Sequence, residues 1–235
     1  MPTFRSLLAT TAVLSMAALS PFAVTPLPAE EKDFDRLNEA ATVFTEIMDA
    51  PDKGIPQNLM ESAHCIVIVP GLKKGAFIVG AKFGKGFVSC REKTSHKWSA
   101  PGAVRVEGGS VGFQIGGSET DVVLLVMNDR GADRLLSSQF TLGGEGEVAA
   151  GPVGRSATAQ TDAKFRAEIL SWSRSRGVFA GISLQGATLR EDDEANQALY
   201  GKKLKNREIV EKAVPAPHGA ERLLTLLNRY SPREK

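Results

Sequence analysis

The chain has 2 cysteines in 235 residues, and they stand alone rather than in C-x-x-C pairs. That excludes a disulfide-framework miniprotein and structural zinc of the zinc-ribbon or FYVE type. Aromatic residues make up 6% of the chain and do not interleave with its basic residues, which argues against base stacking on nucleic acid. Charge of one sign is missing as well, since 29 basic and 27 acidic residues leave +2. The composition excludes a polytopic membrane protein, and there is no internal repeat or low-complexity segment. What is present, 42% hydrophobic and 24% charged residues with a mean hydropathy of -0.12, is the composition of a globular chain with a real core. Wholesale disorder and a collagen-like rod are excluded.

Residues 1–29 have the pattern of a signal peptide. Arg5 supplies the positive start, Leu7 to Leu19 is an apolar stretch diluted by Ser and Thr, and Pro21, Pro26 and Pro28 end it before Glu30-Glu31. Cleavage is expected near Ala29, with retention as an anchor the alternative. The remaining 206 residues, with one net positive charge, make one domain. Export to a periplasmic or secreted location would let a disulfide between Cys65 and Cys90 persist. The alternative is two buried thiols acting as small hydrophobes.

Glycine marks the organisation: 21 of 23 glycines fall between Gly54 and Gly186, between flanks that pattern as helices. From Asp33 to Ala50 the residues Phe34, Leu37, Ala41, Phe44, Ile47 and Met48 recur at three and four, giving an amphipathic helix stopped by Pro51. Its polar face is acidic, which favours packing on the core over anchoring on anionic lipid. Strands are expected at Cys65–Val69, Gly75–Phe83, Gly86–Arg91, Ala103–Glu107, Ser110–Ile115, Val122–Met127, Phe140–Ala149, Ile169–Ser175 and Gly177–Leu189. The first and sixth open on five consecutive apolar residues, so they belong at the centre of the sheet, covered on both faces. Short connections favour antiparallel pairing. Helices follow near Asp192–Leu199, Arg207–Lys212 and Ala220–Tyr230. The expected fold is α+β: one glycine-rich, mainly antiparallel curved sheet or partly open barrel with flanking N- and C-terminal helices.

Catalytic patterns are weak. Gly108-Gly-Ser110-Val-Gly112 matches G-x-S-x-G in letters, but a strand is expected after Ser110 and the downstream histidine is His218, in a proline-rich loop. A serine hydrolase is therefore the third and weakest reading, and no catalytic residue is assigned. His64, His96 and His218 are scattered without metal-ligand spacing, Gly144-Glu-Gly146 opens no helix, and no cofactor is implied.

The electrostatic signal is stronger. Between Lys73 and Lys97 lie Lys73, Lys74, Lys82, Lys85, Arg91, Lys93 and Lys97 against the single acid Glu92, a local +6. If the three strands here form a meander, Lys73 and Lys74 occupy a turn at the same end as Arg91, Lys93 and Lys97, with Lys85 at the far end. Lys73, Lys74, Lys93 and Lys97 are then the primary patch for an anionic surface, and Lys82, Lys85 and Arg91 are secondary. Four such charges at about 1 kcal/mol each correspond to a dissociation constant of about 1 mM. Durable residence on a membrane needs oligomerisation, specific headgroup contacts or an inserted apolar side chain at the same end.

Several ordered motifs resemble the SYLF family. They are Ser62-Ala-His-Cys-Ile-Val-Ile-Val-Pro70, Lys74-Gly-Ala-Phe77, Gly84-Lys-Gly86, Trp98-Ser-Ala-Pro101, Gly112-Phe-Gln-Ile-Gly116 and Thr120-Asp-Val-Val-Leu-Leu125. Phe140-Thr-Leu-Gly-Gly144, Ala149-Ala-Gly-Pro-Val-Gly154, Ser173-Arg-Ser-Arg-Gly-Val-Phe-Ala-Gly181 and Tyr200-Gly201 continue the order. The match covers about residues 33–212 and leaves a C-terminal helical extension. The resemblance implies a non-enzymatic module that binds phospholipid headgroups, phosphoinositides in eukaryotic members, with actin binding in some fungal relatives. It also implies a site role for Lys74, while the other lysines rest on the charge argument. The leading expectation is an exported peripheral binder of anionic phospholipid, and the runner-up is a protein-interaction or scaffold module.

Overall fold

The computed structural model describes residues 29–50, 54–76, 79–111, 116–144, 147–151, 167–175, 178–179, 184 and 186–231; the expected signal segment lies outside them. The two all-apolar runs take the centre of the sheet. They open β1 (Cys65–Ala76) and close β4 (Gly116–Val126), which pair antiparallel, Cys65 opposite Val126 and Val69 opposite Val122. The other strands are β2 (Val79–Cys90), β3 (Gly102–Val111), β5 (Gln139–Thr141), β6 (Val148–Ala150), β7 (Ile169–Ser175), β8 (Val178–Phe179) and β9 (Thr188–Glu191). Their order is β5-β9-β3-β2-β1-β4-β7-β6, with β8 added to β7. Every pairing is antiparallel except β6 with β7, so the sheet is mixed, curled into a half-barrel and mainly antiparallel as expected.

Strand boundaries depart from the sequence reading where glycine was taken as punctuation. β1 continues past Pro70 through a bulge whose Gly71 has φ +55, and ends at Ala76. The expected strands Gly75–Phe83 and Gly86–Arg91 are then largely one strand, β2, and the meander is a single long hairpin. β3 likewise runs through Gly108 and Gly109, which pair with Lys82 and Ala81. Phe140–Ala149 resolves into β5 and β6 on opposite edges of the sheet, and Gly177–Leu189 into β8 and β9.

The two longest helices cover one face of the sheet. In α1 (Ala29–Met48) the three-four spacing buries Leu37, Ala40, Ala41, Phe44 and Ile47, which pack with Ile66, Ile68, Phe87, Val123, Leu125 and Trp172. The last helix, α6 (Glu221–Tyr230), adds Leu223 and Leu227 to that layer. Two short helices went unforeseen, α2 (Gln57–Ser62) and α3 (Asp129–Leu135), the latter capped by Asn128 accepting from the Gly131 amide at 2.7 Å. α4 (Asp193–Tyr200) and α5 (Asn206–Glu211) fall where expected. They are tied to β3 by buried amides: Asn196 accepts from the Ala103 N–H at 2.7 Å, and Asn206 donates to the Ala103 carbonyl at 3.0 Å. α4 ends at Gly201 with φ +68, a left-handed cap that suits glycine. No helix among the described residues is long and apolar enough to cross a membrane.

The opposite, inner face holds a second core of Val67, Val69, Leu72, Val88, Val104, Val106, Leu124, Phe140 and Leu189. Here β1 leans over β2, and glycine is what permits it. A Cβ on Gly86 would lie 2.1 Å from the Ile68 carbonyl oxygen. Gly86→Ala is therefore expected to destabilise by about 3 kcal/mol, the upper end of overpacking costs because a backbone atom cannot step aside. Urea unfolding checks this, and an unchanged midpoint would contradict the close approach.

Candidate functional site

Pleating and register decide which cations share a face. On β1 and β2, Lys73 faces Phe83 and Lys74 faces Lys82, and directly opposite residues lie on the same side of a sheet. Extending the first row gives Glu119, Lys73, Phe83 and Glu107 across β4, β1, β2 and β3, on the face that carries α1. Lys73 is exposed there, and Phe83 at 49% is the exposed large hydrophobic residue of the described chain. The next row outward is almost bare: Gly117, Gly75, Ala81 and Gly109, all exposed. The second face at this end carries the row Ser118, Lys74, Lys82 and Gly108.

The seven basic residues of the sequence do not act as one group. Lys73 and Lys74 lie within β1 near the hairpin end, not in a turn, because the bulge carries the strand onward. Arg91, Lys93 and Lys97 follow β2 at its other end. Cys90 lies eight positions along β2 from Lys82, the partner of Lys74, which is about 27 Å of strand. The four-lysine patch is thus divided into two pairs on opposite ends of the hairpin.

The remaining cations have structural partners. Lys85 lies 2.6 Å from the carboxylate of Asp192, a group only 1% exposed that also caps α4 by accepting from the Ala195 amide at 3.3 Å. Arg91 donates to the carbonyls of His96, Met60 and Ser231 at 2.9, 3.3 and 2.8 Å, and its guanidinium stacks 4.2 Å above Trp98. Lys82 is buried at 5% exposure on the inner face, where desolvation and, secondly, the neighbouring Lys74 hold its ammonium below the usual lysine range. Sequence reasoning missed Phe83. Its signal was the exposed phase of the Lys82-Phe83-Gly84 alternation, visible only once the strand is known to be continuous.

Cys65 and Cys90 stand opposite each other at the closed end of the β1–β2 ladder and are joined as a disulfide. The meander would have kept them two strands apart; the long hairpin makes them direct partners. They line a cavity of about 690 Å³ with His64, Arg91, Lys93, His96 and Asp129, in which His64 Nδ1 lies 3.1 Å from an Asp129 oxygen. Ser110 sits inside β3, paired with Gly80, so the strand-to-helix turn of a nucleophile elbow does not occur there. His218 packs edge-on against Phe34 of α1, with ring centroids 5.8 Å apart.

These elements define an α+β half-barrel domain with flanking N- and C-terminal helices. Residues 107–230 match the family model described as Ysc84, Las17-binding protein actin regulator. The chain belongs to this family, the one its motifs resemble. It is 35% identical over 212 residues to the SH3 domain-containing YSC84-like protein 1 of Rattus norvegicus, covering 88% of this chain and 61% of that protein. The corresponding protein of Homo sapiens is 34% identical over 212 residues, with 88% and 61% covered. Protein YSC84 of Saccharomyces cerevisiae is 35% identical over 180 residues, covering 75% of this chain and 38% of that protein. The chain thus spans about three-fifths or less of the length of these relatives.

Proposed function

We propose that the protein is an exported, peripheral binder of anionic phospholipid surfaces that makes contact through the free end of the β1–β2 hairpin. The observation that carries this reading is Phe83, an exposed aromatic side chain directly opposite exposed Lys73 and one residue from the Lys74 row. It supplies the apolar insertion that charge alone leaves wanting. Lys73 and Lys74 contribute about 2 kcal/mol near an anionic bilayer, and seating Phe83 among the headgroups adds about 2 kcal/mol. The sum corresponds to an apparent dissociation constant of about 1 mM, a reversible contact that several copies on one vesicle strengthen by avidity. Lys93 and Lys97 contribute nothing to that contact, since they lie at the other end of the strand. Export rests on the N-terminal pattern and agrees with paired cysteines.

Co-sedimentation with phosphatidylcholine vesicles containing 30% phosphatidylserine tests this reading. The wild-type protein is expected to bind at low salt and be released by 0.5 M salt. Phe83→Ala and Lys73→Glu/Lys74→Glu should each reduce the bound fraction several-fold, while Lys93→Glu/Lys97→Glu leaves it unchanged. Equal loss in the last variant would return the contact to the charged run as a whole, and a wild-type protein that never sediments would reject the reading.

A second reading has its own support in the family description, which names a Las17-binding actin regulator. On it the domain is a protein-interaction or scaffold module, and the same hairpin end meets an acidic protein surface. Capture of a stoichiometric protein partner that survives Phe83→Ala, together with indifference to vesicles, would favour it.

A further inference from the structure

We propose that Cys90 is a site of thiol–disulfide exchange with a low-molecular-weight thiol, which reaches the Cys65–Cys90 bridge through the cavity at the closed end of the hairpin while the domain stays folded. Three observations carry this. First, the bridge stands at the boundary of the ladder rather than within it: Cys65 is the first residue of β1 and Cys90 the last of β2. Second, both cysteines belong to the wall of a cavity of about 690 Å³, within the range of roughly 300–1,000 Å³ that small-molecule sites occupy. Thr94 and His96, in the turn after β2, line it on one side, and Ala132, Leu136 and Val210 line it on the helical side. Third, the two cysteines differ in exposure, 7% for Cys90 against 1% for Cys65. Exchange needs a line of approach to one sulfur only, and Cys90 is the one the cavity serves.

The attacking species is a thiolate, so the charges of the wall bear on it. Arg91 and Lys93 follow Cys90 by one and three residues, both line the cavity, and Lys93 is exposed. The acids of the wall have partners of their own. Asp129 lies 3.1 Å from His64 Nδ1, Asp133 and Glu211 accept from Arg207 at 3.3 and 2.9 Å, and Glu92 accepts from the Ser95 hydroxyl. Lys93 therefore suits the carboxylate of an acidic thiol. In the exchange, the incoming sulfur bonds to Cys90 Sγ and the bond between Cys65 and Cys90 breaks. Its electron pair leaves on Cys65 Sγ, which takes a proton from solvent. The small thiol is oxidised and Cys65 is reduced, so the step balances with no further reactant. The reverse attack, by the Cys65 thiolate on the same Cys90 sulfur, restores the bridge and expels the thiol. None of this rests on the membrane contact, whose residues lie about 27 Å along the strand.

The test uses the oxidised protein with glutathione as probe, the loss of the bridge being followed by acid quenching and mass spectrometry at urea concentrations below the unfolding transition. The rate is expected to rise in proportion to glutathione and to change by less than about twofold with urea. If the bridge opens only in the unfolded chain, the rate instead climbs by more than about tenfold for each molar step of urea, following the unfolding equilibrium, and the proposal is overturned. Two single-cysteine variants then locate the reacting sulfur. In native buffer with glutathione disulfide, Cys65→Ala should acquire one glutathione on Cys90, while Cys90→Ala should react at Cys65 about tenfold more slowly or less. Equal rates at the two cysteines overturn the assignment to Cys90. Should either variant fail to fold, the wild-type urea dependence still decides. Thr94→Trp, at an exposed position of the wall, should slow exchange about tenfold at an unchanged urea midpoint by narrowing the approach; a Thr94→Trp protein that reacts like wild type overturns the route. Lys93→Glu is expected to slow glutathione about threefold and to leave uncharged 2-mercaptoethanol unaffected, since a nearby cation favours the anionic thiol.

Discussion

Lys85→Met lowers the unfolding free energy by about 3 kcal/mol and leaves the affinity for anionic vesicles unchanged below the melting transition. The reason lies in Asp192. Its carboxylate is 1% exposed and has Lys85 at 2.6 Å, so removing the cation strands a buried charge, a loss of about 3–5 kcal/mol when one partner of a buried pair is deleted. The lower figure applies because the Lys85 side chain keeps 31% exposure and the Ala195 amide still donates to Asp192. Adding Asp192→Asn should restore most of the loss, since an asparagine still caps a helix but carries no charge to bury. Urea unfolding of the two single variants and the double variant measures this as a coupling. If Lys85→Met instead abolishes vesicle binding at unchanged stability, Lys85 belongs to the contact surface and the assignment of the hairpin end must be enlarged. The pair matters for function because it joins the middle of β2 to the start of α4, holding the strand that presents Phe83 against the helical layer.

That distinction between structural and contacting cations could not be drawn from the sequence. Local pattern disclosed a good deal: the all-apolar runs Cys65–Val69 and Val122–Val126 found the two central strands, and the spacing of Leu37, Ala41, Phe44 and Ile47 found the buried face of α1. The last three helices were legible to within about a residue, because Asp192 and Gly201 are ordinary cap residues. Glycine misled. Gly84 and Gly86 look like a turn, yet they sit in a strand so that β1 can lean over it, a requirement set by residues of another strand. α2 and α3, at 6 and 7 residues, are too short to show a period. The grouping of charges failed for a related cause. Seven cations in 25 residues look like one patch, but a strand spreads them along its length and alternates them between faces, and tertiary partners such as Asp192 remove some from service.

Reducing the Cys65–Cys90 bridge is expected to cost about 3.5 kcal/mol, the loop-closure value for cysteines 25 residues apart. Cys65→Ala/Cys90→Ala should lose a similar amount, because both side chains are buried on the inner face, at 1% and 7% exposure, and their removal leaves only a small gap. Urea unfolding with and without a thiol reductant gives the number, and thiol titration of unfolded, unreduced protein shows whether the bridge forms at all. Two reactive thiols per chain, with a midpoint indifferent to reductant, would mean that the bridge does not form, and the export reading would then rest on the N-terminal pattern alone. Vesicle binding of the reduced protein is a separate matter. The bridge closes the end of the hairpin about 27 Å from Lys74 and Lys82, and the ladder between them has its own hydrogen bonds along β1 and β2. Binding should therefore persist in the reduced protein at low temperature and fail only as the sheet melts, at a temperature lowered by about 7–14 °C for that loss in a domain of this size. Loss of binding on reduction without unfolding would show that the two ends of the hairpin communicate, which a ladder held independently of the bridge does not allow.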